Sequence, residues 1–183
     1  MGTALIGHFQ AMAGNNAWSN HRLLRACARV APGDFAAPRT GFFPSLAGTL
    51  NHILMVDGYY IDSLHGRDDA MDRAMAFVAR ADFADLDAAQ RASDRRLTEF
   101  CDRLMPAAID RAIVLRRPNR EAPLETIAAV LAHLFVHQIH HRGQAHAMLS
   151  DTLVKPPQLD EFFLRDELSL RREELRTLGL PEI

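Results

Sequence analysis

Apolar residues recur at steps of three and four along most of this 183-residue chain, and prolines and glycines gather between those runs. That pattern selects helices and leaves little room for sheet. Leu5, Phe9, Met12, Leu23, Cys27 and Val30 mark one face of a helix reaching about Ala31, where Pro32 and Gly33 stop it. A loop through Pro38 and Gly41 leads to Pro44 and Ser45, and Leu46, Leu50, Ile53, Ile61 and Leu64 then define a second helix ending near Gly66. After a polar stretch from Arg67, the residues Leu86, Leu97, Phe100 and Leu104 mark a third helix, ending near Pro106. Ile109 to Leu115 is short and partly β-branched, which favours an extended segment turned at Pro118 and Asn119. The fourth helix is the most regular. It runs from about Pro123, whose missing N–H costs nothing in a first turn, to Ser150. Pro156 and Pro157 break the chain before an amphipathic helix from about Gln158 to Thr177. Long helices with short connections predict an all-α fold, a four-helix up-down bundle with an additional C-terminal helix, in one domain over residues 1–183.

A chain of this length can bury a core without staples. Twenty-one Lys and Arg against twenty-three Asp and Glu leave a formal charge of -2, too little positive field to hold a nucleic-acid backbone. Cys27 and Cys101 are too few for a disulfide framework, which fits a reducing cytoplasm. Met1 to Gln10 has neither a basic leader nor a long apolar run, and no stretch approaches the ~18 apolar residues of a membrane span, so no membrane partner is expected. No Ser-His-Asp order, phosphate loop or dinucleotide fingerprint is present.

Four of the nine histidines fall between His133 and His141. At about 100° per residue, Ile127, Val130, Leu134, Ala145 and Met148 share one direction, and His137 and His141 lie in that sector while His133, His140 and Gln144 fall on its flank. Imidazoles at i and i+4 have Cβ atoms about 6 Å apart and can converge on one metal ion. Hydrogen-bonded core histidines have the same spacing, so a third ligand is needed to decide. The second helix offers Asp57, at the centre of its apolar face, and His52, toward the edge near Val56; periodicity does not choose between them. A buried carboxylate needs a partner in either case. Asn16 and Asn20 fall on the first helix's apolar stripe, as interhelical hydrogen-bonding or site-lining groups. Gly143, in mid-helix at about 1 kcal/mol against Ala, suggests close helix approach beside the site. Arg142 is expected to point away from a metal toward a carboxylate or an anionic substrate. Trp18 falls off its helix's apolar stripe, where an exposed ring would suit a dimer seam. His8, His21, His65 and His146 lie outside the core pattern.

Asn15-Asn16-Ala17-Trp18-Ser19-Asn20, Thr49-Leu50-Asn51-His52-Ile53-Leu54 with Asp57 and Tyr60, and above all His137-Gln-Ile-His140-His141-Arg142-Gly143-Gln144 give the chain a resemblance to the DinB/YfiT-like family of metal-binding four-helix bundles. The resemblance spans most of the chain and implies a three-histidine site for one divalent ion, nickel or zinc, formed by His52, His137 and His141. It also implies a homodimer and, in some relatives, transferase or isomerase activity that uses low-molecular-weight thiols as small-molecule substrates. Asn16, Asp57 and Gln144 are the polar groups expected around the ligands. Asp57 and His140 are the candidates for proton transfer. Thiol transfer, metal-assisted hydrolysis, and a non-catalytic metal-stabilised interaction or sensor module are the functions that such a site allows.

Overall fold

The computed structural model describes residues 2–119, 121–160 and 164–182. Among them the chain forms seven α-helices: α1 (Gly2–Cys27), α2 (Pro32–Ala36), α3 (Leu46–Leu64), α4 (Ala70–Met75), α5 (Phe83–Asp102), α6 (Ile127–Leu149) and α7 (Leu168–Leu178). A two-stranded antiparallel ribbon, β1 (Ala112–Val114) and β2 (Leu124–Thr126), precedes α6. Short polar side chains begin the long helices by capping otherwise orphaned N–H groups: Ser45 accepts from Gly48, Asp82 from Ala84 and Asp85, and Thr126 from Ala129.

The long helices α1, α3, α5 and α6 make the expected four-helix bundle, but they run up, down, down, up in place of the alternating up-down order. Asn51 meets the backbone of Arg80 before α5, and Asp62 meets Arg96 late in α5, so α3 and α5 are parallel. His52 meets His137 and Tyr60 meets His133, so α3 and α6 are antiparallel. The parallel pair is possible because residues 65–82, including α4, return the chain along the 19-residue α3, a span of about 28 Å.

Two apolar clusters sit at opposite ends of the bundle. One contains Ile6, Phe9, Tyr60, Leu64, Leu97, Leu131 and Phe135; the other contains Leu23, Leu46, Ile53, Leu86, Ala145 and Leu149. Between them each long helix contributes buried polar side chains: Asn16 and Asn20, Asp57, Gln90 and Asp94, Gln138 and Arg142. Among the described residues no helix is long and apolar enough to cross a membrane.

Several boundaries depart from the sequence pattern. The fourth helix begins at Ile127 instead of Pro123, because Leu124–Thr126 pair with Ala112–Val114 and the Pro123 carbonyl accepts from Leu115. This bears out the extended reading of the segment around Ile109–Leu115. The polar stretch after Arg67 holds α4. The last helix begins at Leu168; residues 161–163 of the expected span lie outside the described residues.

Trp18 is fully buried, contrary to its assignment to an exposed seam. Its Nε1 donates to Glu174 at 2.7 Å and the Arg22 guanidinium lies 4.2 Å over the ring, so α7 covers it. Arg22 also donates to Glu174 at 2.8 Å. Periodicity within α1 cannot register a helix arriving from 150 residues away. Glu174→Ala removes both bonds and is expected to destabilise the chain by about 1–3 kcal/mol, measured by urea unfolding, with faster proteolysis of the C-terminal segment.

Candidate metal centre

α3 and α6 lie antiparallel, and each presents imidazoles along their seam. His52 Nε2 and His137 Nε2 stand 3.0 Å apart. Ring centroids are 4.5 Å apart for His52 and His141 and 4.4 Å for His137 and His141. One ring nitrogen from each of His52, His137 and His141 lies within 4.8 Å of the other two. Gln144 fixes the third ring: its Oε1 lies 2.8 Å from His141 Nδ1, which leaves Nε2 free. The Gln144 amide nitrogen reaches His140 Nε2 at 3.1 Å.

The cluster is one that could hold a metal ion. Two nitrogens each about 2.0–2.1 Å from one ion are about 2.8–3.4 Å apart at ligand angles between square and tetrahedral. The His52–His137 separation falls toward the short end of that range. Burial holds His52 down at about 4, assisted by His141, and holds His137 down at about 3, assisted by His141 and His52. His141 is lowered by burial too, against the raising effect of Gln144. All three are therefore neutral near pH 7, the form that donates a lone pair. Without an ion, a hydrogen bond between the two facing Nε2 atoms leaves the buried Nδ1 of His137 without a partner among the described residues. An ion between them engages both lone pairs.

Phe43, from the loop before α3, stacks on His52 with centroids 4.1 Å apart and leans on His141 at 5.7 Å. Phe42 beside it is four-fifths exposed, forming an apolar lip. Neither phenylalanine carries a periodic signal, since both lie in a loop. His140 is exposed and packs edge-on against His141 at 4.8 Å.

Asn16 and Asp57, expected near the ligands, lie in the mid-bundle polar layer. Asp57 accepts from Gln90 Nε2 at 2.8 Å and from Gln138 Nε2. Asp94 Oδ1 accepts from Asn20 at 2.8 Å, Gln90 at 3.2 Å and Asn16 at 3.3 Å. Arg142 Nη1 donates to the side-chain oxygens of Asn16 at 2.7 Å and Asn20 at 3.0 Å. Arg142 thus points away from the histidines, as expected, but onto two amides inside the bundle. Burial raises both acids to about 7; Asp94 pushes Asp57 further up while Arg142 pulls both down. Burial lowers the guanidinium to about 10.

The layer also revises the phase of α6. Gln138 and Arg142 occupy the middle of its buried arc, while His137 is half-buried and His141 lies at the arc's edge. A signal for the layer exists in the sequence: Gln90 and Asp94 continue the spacing of Leu86, Leu97 and Cys101, and Gln138 and Arg142 continue that of Leu134 and Ala145. Nor does Gly143 serve close helix packing, because a Cβ there meets nothing within 4 Å. His8 and His65 are exposed and His146 bonds the Pro157 carbonyl at 2.8 Å. His21, by contrast, is buried with neither ring nitrogen partnered among the described residues.

An all-α four-helix bundle with three neutral imidazoles gathered on one seam defines a class of protein equipped to hold a divalent ion. The chain belongs to the DinB family, whose model matches residues 1–173. No curated protein matches it.

Proposed function

We propose that this protein is a metal-dependent enzyme in which His52, His137 and His141 hold one nickel or zinc ion, and that its reaction is the transfer of a low-molecular-weight thiol to an electrophilic small molecule. The observation that carries the reading is the convergence of the three ring nitrogens at a half-buried seam bordered by an apolar lip. Three protein ligands leave a coordination position for substrate, whereas a purely structural site closes with four. A divalent ion held there lowers the pKa of a thiol or water toward neutrality.

The chain's own groups supply orientation and proton handling. Gln144 fixes the ring plane of His141, and Phe43 fixes that of His52. Phe42 offers an apolar surface to the electrophile. Of the two candidate proton carriers, Asp57 is engaged by Gln90 and Gln138 inside the bundle, while His140 stands exposed beside His141. His140 is therefore the group nearer to hand for the thiol proton, which its Nε2 takes on releasing the Gln144 amide. Hydrolysis at the same site is the second reading, distinguished by turnover without thiol.

The test is turnover of the metal-loaded chain with a panel of low-molecular-weight thiols and electrophiles. Thiol-dependent consumption that stops on chelation and returns with nickel or zinc is expected. Chelator-insensitive turnover, or none with any thiol, overturns the assignment.

A further inference from the structure

On the opposite side of α6 from the three-histidine cluster, the parallel helices α1 and α6 and the segment at residues 158–160 line an open cleft of about 430 Å³. Its size is that of a small-ligand pocket, for which about 300–1,000 Å³ is usual. Met12, Ile139 and Leu159 supply apolar walls; Arg142 and Gly143 supply the floor. At about 100° per residue, Ile139, Arg142, Gly143 and His146 occupy the half of α6 turned away from His137 and His141.

We propose that this cavity binds a small carboxylate with a branched apolar body, a site separate from the metal centre. Arg142 is the first reason. Only a twentieth of it is exposed, yet among the described residues it makes no direct ion pair. Among the described residues its side-chain hydrogen bonds run from Nη1 alone, to the neutral amides of Asn16 and Asn20, and the residue lines the cavity. Buried guanidinium groups are normally paired, and two adjacent N–H donors match the two oxygens of a carboxylate. The amides hold the guanidinium in place, and the countercharges of Asp57 and Asp94 act on it without direct contact.

Gly143 is the second reason. A glycine in a helix interior is unfavourable, and here it relieves no crowding, since open space surrounds the position of its missing Cβ. What the missing side chain leaves clear is the cavity itself. Ile139, half exposed although large and apolar, faces the same space. The polar rim includes Asp160, whose carboxylate accepts from the Gln158 amide.

The experiment is an amide-shift NMR titration of the full chain with 4-methylpentanoate and, as its neutral isostere, 4-methylpentanamide. The acid is expected to saturate in the millimolar range or below, at least about ten-fold tighter than the amide, with shifts centred on Met12 and residues 139–146. Gly143→Met fills the cavity while improving helix propensity, so it is expected to keep or raise the thermal midpoint and to weaken acid binding at least about ten-fold. His52→Ala, on the other face, is expected to leave acid binding unchanged and so separates this site from the metal centre. Equal affinity for acid and amide, no saturation by about 20 mM, or full binding by a folded Gly143→Met overturns the proposal.

Discussion

Replacing Arg142 with Met is expected to destabilise the chain by about 3–5 kcal/mol, the cost of leaving a buried charge network without its cation. Met preserves most of the buried aliphatic volume, so the effect isolates the charge. The guanidinium lowers the pKa of both Asp57 and Asp94, and their ordinary value of 3.8 is already raised to about 7 by burial. Between pH 3.8 and about 7 the folded chain holds more protons than the unfolded one at these two sites. Their contribution to stability is therefore greatest below pH 3.8 and falls as pH rises toward 7. Without Arg142 the decline extends to higher pH, because nothing opposes protonation of the pair. Urea unfolding at pH 5 and pH 8 should show a larger deficit at pH 8. Asp94→Asn in the Arg142→Met background should recover much of it. A pH-independent deficit indicates lost packing instead.

Saturation with nickel or zinc is expected to stabilise the chain by about 4 kcal/mol when free ion stands a thousand-fold above its Kd, and His137→Ala to remove nearly all of that gain. His137 is the discriminating position, since it faces His52 across the seam and lies tilted against His141. His133→Ala and His140→Ala remove imidazoles from the same helix without touching the three-nitrogen set and should retain the gain. Metal content measured on untagged protein, alongside thermal unfolding with and without chelator, checks both parts; equal metal retention by His137→Ala rules out the three-histidine assignment. Acid weakens the metal-free fold through the same rings. Folded values of about 4 for His52 and about 3 for His137 lie below the ordinary 6.5, so the unfolded chain binds more protons in that interval. Stability from these groups is present above pH 6.5 and is lost as pH falls toward 3–4.

The helices and their breakers were legible because a bundle helix must repeat its apolar side every turn, and Pro and Gly interrupt that repeat. The pairing of His137 with His141 followed from the same arithmetic. His52 did not: on α3 the phase left it open against Asp57, which lies at the centre of the apolar face and is indeed the more buried, and the family motif supplied the histidine. Asp57 is buried for a different purpose, and its partners Gln90, Asp94 and Gln138 look like surface residues to any pattern that equates polar with exposed. Four helices each contributing one or two such residues at the same height build a layer that no single helix reveals. Phe43 and α7 were invisible for a related reason, since a loop ring stacking on His52 and a C-terminal helix covering Trp18 depend on long-range placement alone.

Thr126 is both the last residue of the ribbon, opposite Ala112, and the cap of α6 through its bond to Ala129. The start of α6 thus has no rotational play: the ribbon indexes the helix as a keyway indexes a shaft. His137 follows eleven residues later, at a heading fixed by that count. A residue gained or lost in the turn between the strands is absorbed by the turn. One gained between Thr126 and His137 swings the histidine pair by about 100° and carries it out of the α3 seam, with every contact of the ribbon intact.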